Sequence, residues 1–227
     1  MDKRKRGILY GMAIGDGGVY LAKDQAATTA RLVIGHGPKQ FDYLKYKADL
    51  LHSLLGGKKV SVYTSKSVNK QTQKEYTNHQ LYVNHTYFRQ MHRVLYPYGT
   101  KVYTEKLLSY LTDYSLALWY MDDGSGTVYR NSKTQKPCGC MTRLSTYCSL
   151  EEAELLRDWF TDKYRITPKF DVDKRNYKYS LRFNTKESRE FVSIVAPYMF
   201  HTLKYKVAHV DKYIPRVQDT LWGEDIV

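Results

Sequence analysis

The chain has 227 residues, 42% of them hydrophobic, enough for one large domain or two halves of about 100 residues around a buried core. A formal charge of +13 favours a polyanionic partner, and 22 tyrosines among 36 lysines and arginines favour nucleic acid, since aromatic and cationic side chains together suit bases and phosphates. Cys138, Cys140 and Cys148 are odd in number and lack zinc-ligand spacing, which argues against a disulfide framework or zinc finger and for reduced thiols in an intracellular protein.

The basic start, Lys3-Arg4-Lys5-Arg6, reads equally as a phosphate-contacting arm or a nuclear address. No cleavable signal or membrane span is evident, and a first motif this near the start reads as a free-standing product. Gly7 to Gly17 is an apolar helix signal, uncharged until Asp16 and stopped by Gly17. Gly18–Leu21 and Ala30–Ile34 read as strands around the polar turn Lys23-Asp24-Gln25. Pro38 opens a helix with apolar positions at Phe41, Leu44, Leu50, Leu51 and Leu54, closed by Gly56-Gly57. Lys59–Thr64 and Gln80–Asn84 then read as strands around a polar turn from Lys66 to Lys74. A helix from about Thr86 to Leu95 and a linker signal at Pro97-Tyr98-Gly99 close the first half.

The second half repeats the order. Ser115 to Gly124 is again an apolar helix ending in a carboxylate and a glycine, here Asp122-Asp123-Gly124. Gly126–Arg130 and Met141–Thr146 are strands around the basic loop Asn131 to Lys136. Ser149 and Glu152 form a capping-box signature for a helix reaching about Tyr164. Lys169–Asp173 and Lys178–Phe183 form a hairpin around Lys174-Arg175-Asn176, and a helix follows from about Thr185 to Val195. The expected fold is therefore α+β, a pseudo-twofold tandem αββαββα repeat. Its N-terminal half is residues 1–96, its linker 97–104 and its C-terminal half 105–227. Each half would carry an antiparallel sheet with helices on its apolar face. The other face would offer donors and acceptors suited to a major groove. Candidate DNA contacts are Lys66, Lys74, Arg130, Lys133, Lys136, Arg143, Lys174, Arg175, Lys178 and Arg182.

Asp16 and Asp123 are unusual in position. A helix C-terminus is the negative end of its dipole and already crowded with unsatisfied carbonyls, so a carboxylate there is unfavourable without a cation. Carboxylates beside free carbonyls suit hard Mg²⁺ or Ca²⁺, with the carbonyls of Gly15 and Asp122 as further ligands. Asp122 itself either binds or caps. Singly, each Asp-Gly is also a common turn signal; the duplication favours the metal reading.

Leu9-Tyr10-Gly11-Met12-Ala13-Ile14-Gly15-Asp16-Gly17 and Leu116-Ala117-Leu118-Trp119-Tyr120-Met121-Asp122-Asp123-Gly124 resemble the two signature motifs of a single-chain LAGLIDADG homing endonuclease. Leu118 departs from the pattern, standing where the first copy has the small Gly11. The resemblance implies two saddle-shaped sheets meeting at paired motif helices. It further implies a monomer that cuts a long double-stranded DNA target across the minor groove, leaving short 3′ overhangs. Mg²⁺ would serve, with Mn²⁺ able to substitute. Asp16 and Asp123 would hold metal, and Lys101 and Lys206 would lie near the phosphates, as the resemblance to the family implies. By spacing alone those lysines are ordinary surface residues. His36, at a strand end, is a weaker candidate for the water network and reads equally as a polar residue at a helix start; Thr146 and Tyr147 hold the matching place in the second half. A maturase that binds intron RNA without cutting is the alternative reading. A non-catalytic regulator would be expected to lack one or both aspartates. Organelle, phage-infected cell and prokaryotic cytoplasm are equally compatible settings.

Overall fold

The computed structural model describes residues 2–21, 28–68 and 71–211. The predicted turn Lys23-Asp24-Gln25 lies outside the described residues. The chain divides into two compact units, Met1–Val102 with Ser109–Ser115, and Tyr103–Leu108 with Leu116–Val227.

The first unit begins with α1 (Lys3–Ile14), capped by the Asp2 side chain, which accepts from the Lys5 backbone N–H at 2.8 Å. Lys3 to Arg6 are thus the first turn of a helix and not an extended arm. The basic turn opposes the dipole, and the Asp2 carboxylate offsets it. Then come β1 (Gly17–Leu21), β2 (Ala30–His36), a 3-10 turn (Pro38–Gln40), α2 (Phe41–Leu54), β3 (Ser61–Val68), β4 (Glu75–His85) and α3 (Tyr87–Leu95). The antiparallel sheet runs β1-β2-β4-β3. Leu32, Ile34, Leu81 and Val83 share its apolar face, and Tyr43, Leu44 and Leu51 of α2 and Phe88, Met91 and Leu95 of α3 are buried with them. Phe41, Leu50 and Leu54 stand only partly buried at the edges of the α2 stripe. Lys66 is within β3, opposite Thr77, and not in a turn; the pairing extends beyond the expected strand ends at Thr64 and Gln80, out to Val68 and Glu75.

The second unit repeats that topology. It contains α4 (Glu105–Leu108), most of α5 (Asp113–Asp123), β5 (Gly124–Arg130), β6 (Pro137–Cys148), α6 (Leu150–Tyr164), β7 (Lys169–Asp173), β8 (Lys178–Phe183) and α7 (Thr185–Val195). Two 3-10 segments, Ala196–Tyr198 and His201–Lys206, follow. Its sheet is ordered β5-β6-β8-β7, the counterpart of the first. The predicted capping box is present: Ser149 Oγ accepts from Glu152 N–H, and Glu152 Oε2 accepts from Ser149 N–H at 2.8 Å. Phe160, Phe183 and Phe191 form an aromatic core, with the Phe183 and Phe191 rings stacked at 4.5 Å. No helix of the described residues is long and apolar enough to cross a membrane.

The motif glycines do something other than turn left-handed. Among the described residues, positive φ at glycine occurs at Gly56, Gly57 and Gly99, and at neither Gly17 nor Gly124. A side chain at Gly17 would instead overlap the Met12 carbonyl, and one at Gly124 would overlap Tyr120. The chain leaves each helix by folding directly into a strand over the last helical turn, and only glycine leaves room for that.

Candidate active site

In the first unit, α1 delivers Asp16 just past its last turn, and the pairing of Gly17 with Ile34 fixes what stands beside it. Strand side chains alternate, so His36 shares the helix-facing side with Ile34 and lies two residues past the start of β1, level with the end of α1. His36 Nδ1 is 3.3 Å from Asp16 Oδ2; the His36 side chain is 1% exposed and that of Asp16 38%. The same Nδ1 is 3.1 Å from Gln40 Oε1, while Nε2 is 3.1 Å from Lys47 Nζ on α2. Lys47 is fully buried, with its ammonium 4.4 Å from the centre of the Tyr43 ring. Sequence reading passed over Lys47. The signal was available, because a lysine between Leu44, Ala48 and Leu51 sits on the apolar stripe of the helix.

Lys101 lies at the end of α1. Its Nζ donates to the carbonyls of Ala13 and Gly17 at 2.8 Å each, and reaches those of Gly15 at 3.4 Å and Ile14 at 3.5 Å. Lys206, on the last 3-10 segment of the second unit, does the same for α5. Its Nζ donates to the Met121 carbonyl at 2.6 Å and the Asp122 carbonyl at 3.1 Å, while its own carbonyl accepts from Tyr120 Oη at 2.7 Å. Each motif helix therefore ends in a carboxylate and carries a lysine ammonium on its last carbonyls, and that cation offsets the dipole and the Asp together.

Asp122 and Asp123 are half-buried. Tyr103 is stacked on Trp119, and its hydroxyl is held well above the usual phenol range, first by burial and then by the Asp123 charge. Thr146 takes the place His36 has in the first unit, since Gly124 pairs with Leu144 as Gly17 does with Ile34. Its hydroxyl is spent within the sheet, donating to the Tyr179 carbonyl of β8 at 2.9 Å and lying 3.3 Å from Cys148 Sγ.

Comparison with known proteins matches residues 6–191 to the family model described as the LAGLIDADG DNA endonuclease family. The chain belongs to that family. The LAGLIDADG motifs are the two helix ends just described. Among solved structures, the chain is similar to the homing endonuclease I-WcaI bound to its DNA recognition sequence, at 22% identity and a TM-score of 0.73 over 91% of this chain and 86% of that one. Among curated proteins it is 29% identical over 204 residues to Protein RecA of Mycolicibacterium chitae, covering 88% of this chain and 45% of that protein. It is also 27% identical over 130 residues to the intron-encoded endonuclease ai4 of Dictyostelium discoideum, covering 56% of this chain and 75% of that protein. The chain spans about 45% of the length of the RecA proteins it matches.

The sheet faces away from the helices carry the remaining candidates. In the second unit, Ser125, Arg143, Arg182 and Lys169 stand in one row across all four strands. Asp171 ties the two arginines, Oδ2 lying 3.7 Å from Arg143 Nε and Oδ1 3.3 Å from Arg182 Nη1. Arg175 at the hairpin tip donates to Asp173 through Nε at 3.1 Å and Nη2 at 3.0 Å, and Lys174 and Lys178 beside it are exposed. Lys133 and Lys136 are exposed in the β5–β6 hairpin, where Arg130 Nη1 donates to the Gln135 carbonyl at 3.0 Å. In the first unit the corresponding face holds Tyr63 hydrogen-bonded to Gln80, and Arg31, which donates to Asn84 Oδ1 at 3.0 Å and lies 4.9 Å from the Tyr82 ring centre. Arg31 was not singled out from sequence. Lys74 is exposed beside the hairpin turn, whereas Lys66 alternates with Tyr63 and Ser65 and so lies on the other side of β3.

Proposed function

We propose that this chain is a site-specific double-strand DNA endonuclease of the homing type, working as an intracellular monomer on a long target and leaving short 3′ overhangs. The observation that carries the reading is the repeated helix end: a carboxylate, Asp16 or Asp123, beside carbonyls held by a lysine. Cutting two strands requires two phosphoryl sites, and the repeat supplies one set of groups per strand. The donor set is all oxygen at the carboxylates and at the Gly15 and Asp122 carbonyls, which fits Mg²⁺, with Mn²⁺ as a substitute. A divalent ion bound there would neutralise phosphate charge and lower the pKa of a water.

The protein's own groups do the remainder. Asp16 and Asp123 would each hold an ion in their own unit. Lys101 and Lys206 keep positive charge at the helix ends, within reach of a developing charge on phosphate or leaving oxygen. His36 orients the Asp16 carboxylate through Nδ1. The basic row Arg143, Arg182 and Lys169, with Arg130, Lys133, Lys136, Lys174, Arg175 and Lys178, engages phosphates and base edges, and Lys74 does so from the first unit.

The test is to incubate the protein and Mg²⁺ with a randomised duplex library and sequence the cut ends. A narrow set of related sites cut on both strands with short 3′ overhangs is expected, abolished by chelator and absent with an Asp16→Asn/Asp123→Asn double variant. No cut ends above that variant, or ends with 5′ overhangs, would overturn the proposal.

A further inference from the structure

A lysine with no exposed surface calls for a reason. Lys47 is on α2, on the stripe formed by Leu44, Ala48 and Leu51, and its Nζ is 3.1 Å from His36 Nε2. A buried ammonium on an apolar stripe is costly. Methionine or leucine would fill the same space without that cost.

Hydrogen-bond direction shows what the lysine does for its neighbour. An ammonium has donors and no acceptor, so the imidazole nitrogen facing it must present a lone pair. Facing that ammonium with Nε2, His36 carries its proton on Nδ1, the nitrogen turned toward Asp16 and Gln40. Both groups facing Nδ1 are acceptors: Asp16 Oδ2 at 3.3 Å and Gln40 Oε1 at 3.1 Å. The chain Lys47 to His36 to Asp16 is consistent in one direction only. We propose that Lys47 is a positioning residue for the Asp16 half-site: it fixes the His36 tautomer, and the Nδ1–H thus presented fixes the rotation of the Asp16 carboxylate.

The device belongs to one half of the molecule. In the second unit Thr146 stands in the place of His36, and α6 buries Ala153, Leu156 and Phe160. Loss of Lys47 should therefore affect one DNA strand and spare the other. The tautomer assignment stands on geometry alone, whereas the effect on cutting rests on the function proposed above.

The experiment is a long-range ¹H–¹⁵N correlation spectrum of the histidine-labelled, metal-free chain, His36 being assigned with a His36→Gln variant. It is joined to strand-resolved cleavage of a duplex selected from the randomised library. In the unmodified chain His36 is expected as the Nδ1–H tautomer; the Nε2–H form there would overturn the proposal without any variant. In Lys47→Met the Nε2–H form should appear, and one strand should be cut about tenfold more slowly or worse, the other at its original rate. Lys47→Arg should restore much of both. If Lys47→Met keeps the Nδ1–H tautomer and both strand rates, or slows both strands equally, Lys47 is only structural and the proposal fails. Absence of cleavage by the unmodified chain would instead refute the endonuclease reading, with the tautomer still deciding the role of Lys47.

Discussion

Replacing Lys101 with methionine keeps the aliphatic stem and removes the ammonium from the end of α1. Two bonds of 2.8 Å and two longer contacts go with it, all to carbonyls with no helical partner. A hydrogen bond to a charged group contributes about 1.5–3 kcal/mol, and a cation at a helix C-terminus adds up to about 2 kcal/mol in a partly buried setting. Lys101 is half-buried, so water recovers part of the loss, and about 3 kcal/mol is expected overall. For a chain of this size that lowers Tm by about 6–12 °C, measured by circular dichroism against the exposed control Lys186→Met. A second variant sharpens the test. With the ammonium gone, Asp16 faces the negative end of α1 uncompensated, so Asp16→Asn should recover part of the loss in the Lys101→Met background. A Tm within about 1 °C of the unmodified chain, or no such recovery, would refute the capping argument.

Four further outcomes follow from other parts of the molecule. A Cβ at Gly11 would lie 2.7 Å from both Cα and O of Ser115, backbone atoms that cannot swing aside, so Gly11→Ala should cost about 1–3 kcal/mol in urea unfolding. Burial holds His85, His92 and His209 below the ordinary value of 6.5. The unfolded chain therefore takes up protons first, and thermal stability should fall as pH drops below about 6.5; an unchanged or rising Tm between pH 7 and 5 would contradict this. Asp171 holds Arg143 and Arg182 in one row, so Asp171→Ala should relax sequence preference in library cleavage at one or two adjacent base pairs. Lys133→Ala should weaken binding to all sequences alike and reduce its salt dependence by about one phosphate contact.

Much of this fold was legible because its signals are local and strong. The Ser149–Glu152 box, the Pro38 helix start and the hairpins around Asn131 and Lys174 depend on a few adjacent residues, and they stand where those residues put them. The length of the β3–β4 hairpin was not legible, because Ser65, Lys66 and Ser67 have weak strand preference and are held by pairing with β4. Asp16 and Asp123 attract notice from sequence as carboxylates at the wrong end of a helix. The cations that answer them could not be located from the pattern. Lys101 meets α1 across more than 80 residues, and Lys206 meets α5 across a similar span, so both contacts are tertiary. Lys47 left a readable mark as a charge on an apolar stripe, but its partner His36 is supplied by strand register, which periodicity does not reveal.

The measurement that bears most directly on the account is strand-resolved cleavage of a selected target by Asp16→Asn and by Asp123→Asn. Each variant should bind the duplex as the unmodified chain does and lose double-strand cutting, with Asp16→Asn and Asp123→Asn impairing opposite strands. Full double-strand cutting by either variant, or loss on the same strand in both, would contradict the assignment of one carboxylate to each strand.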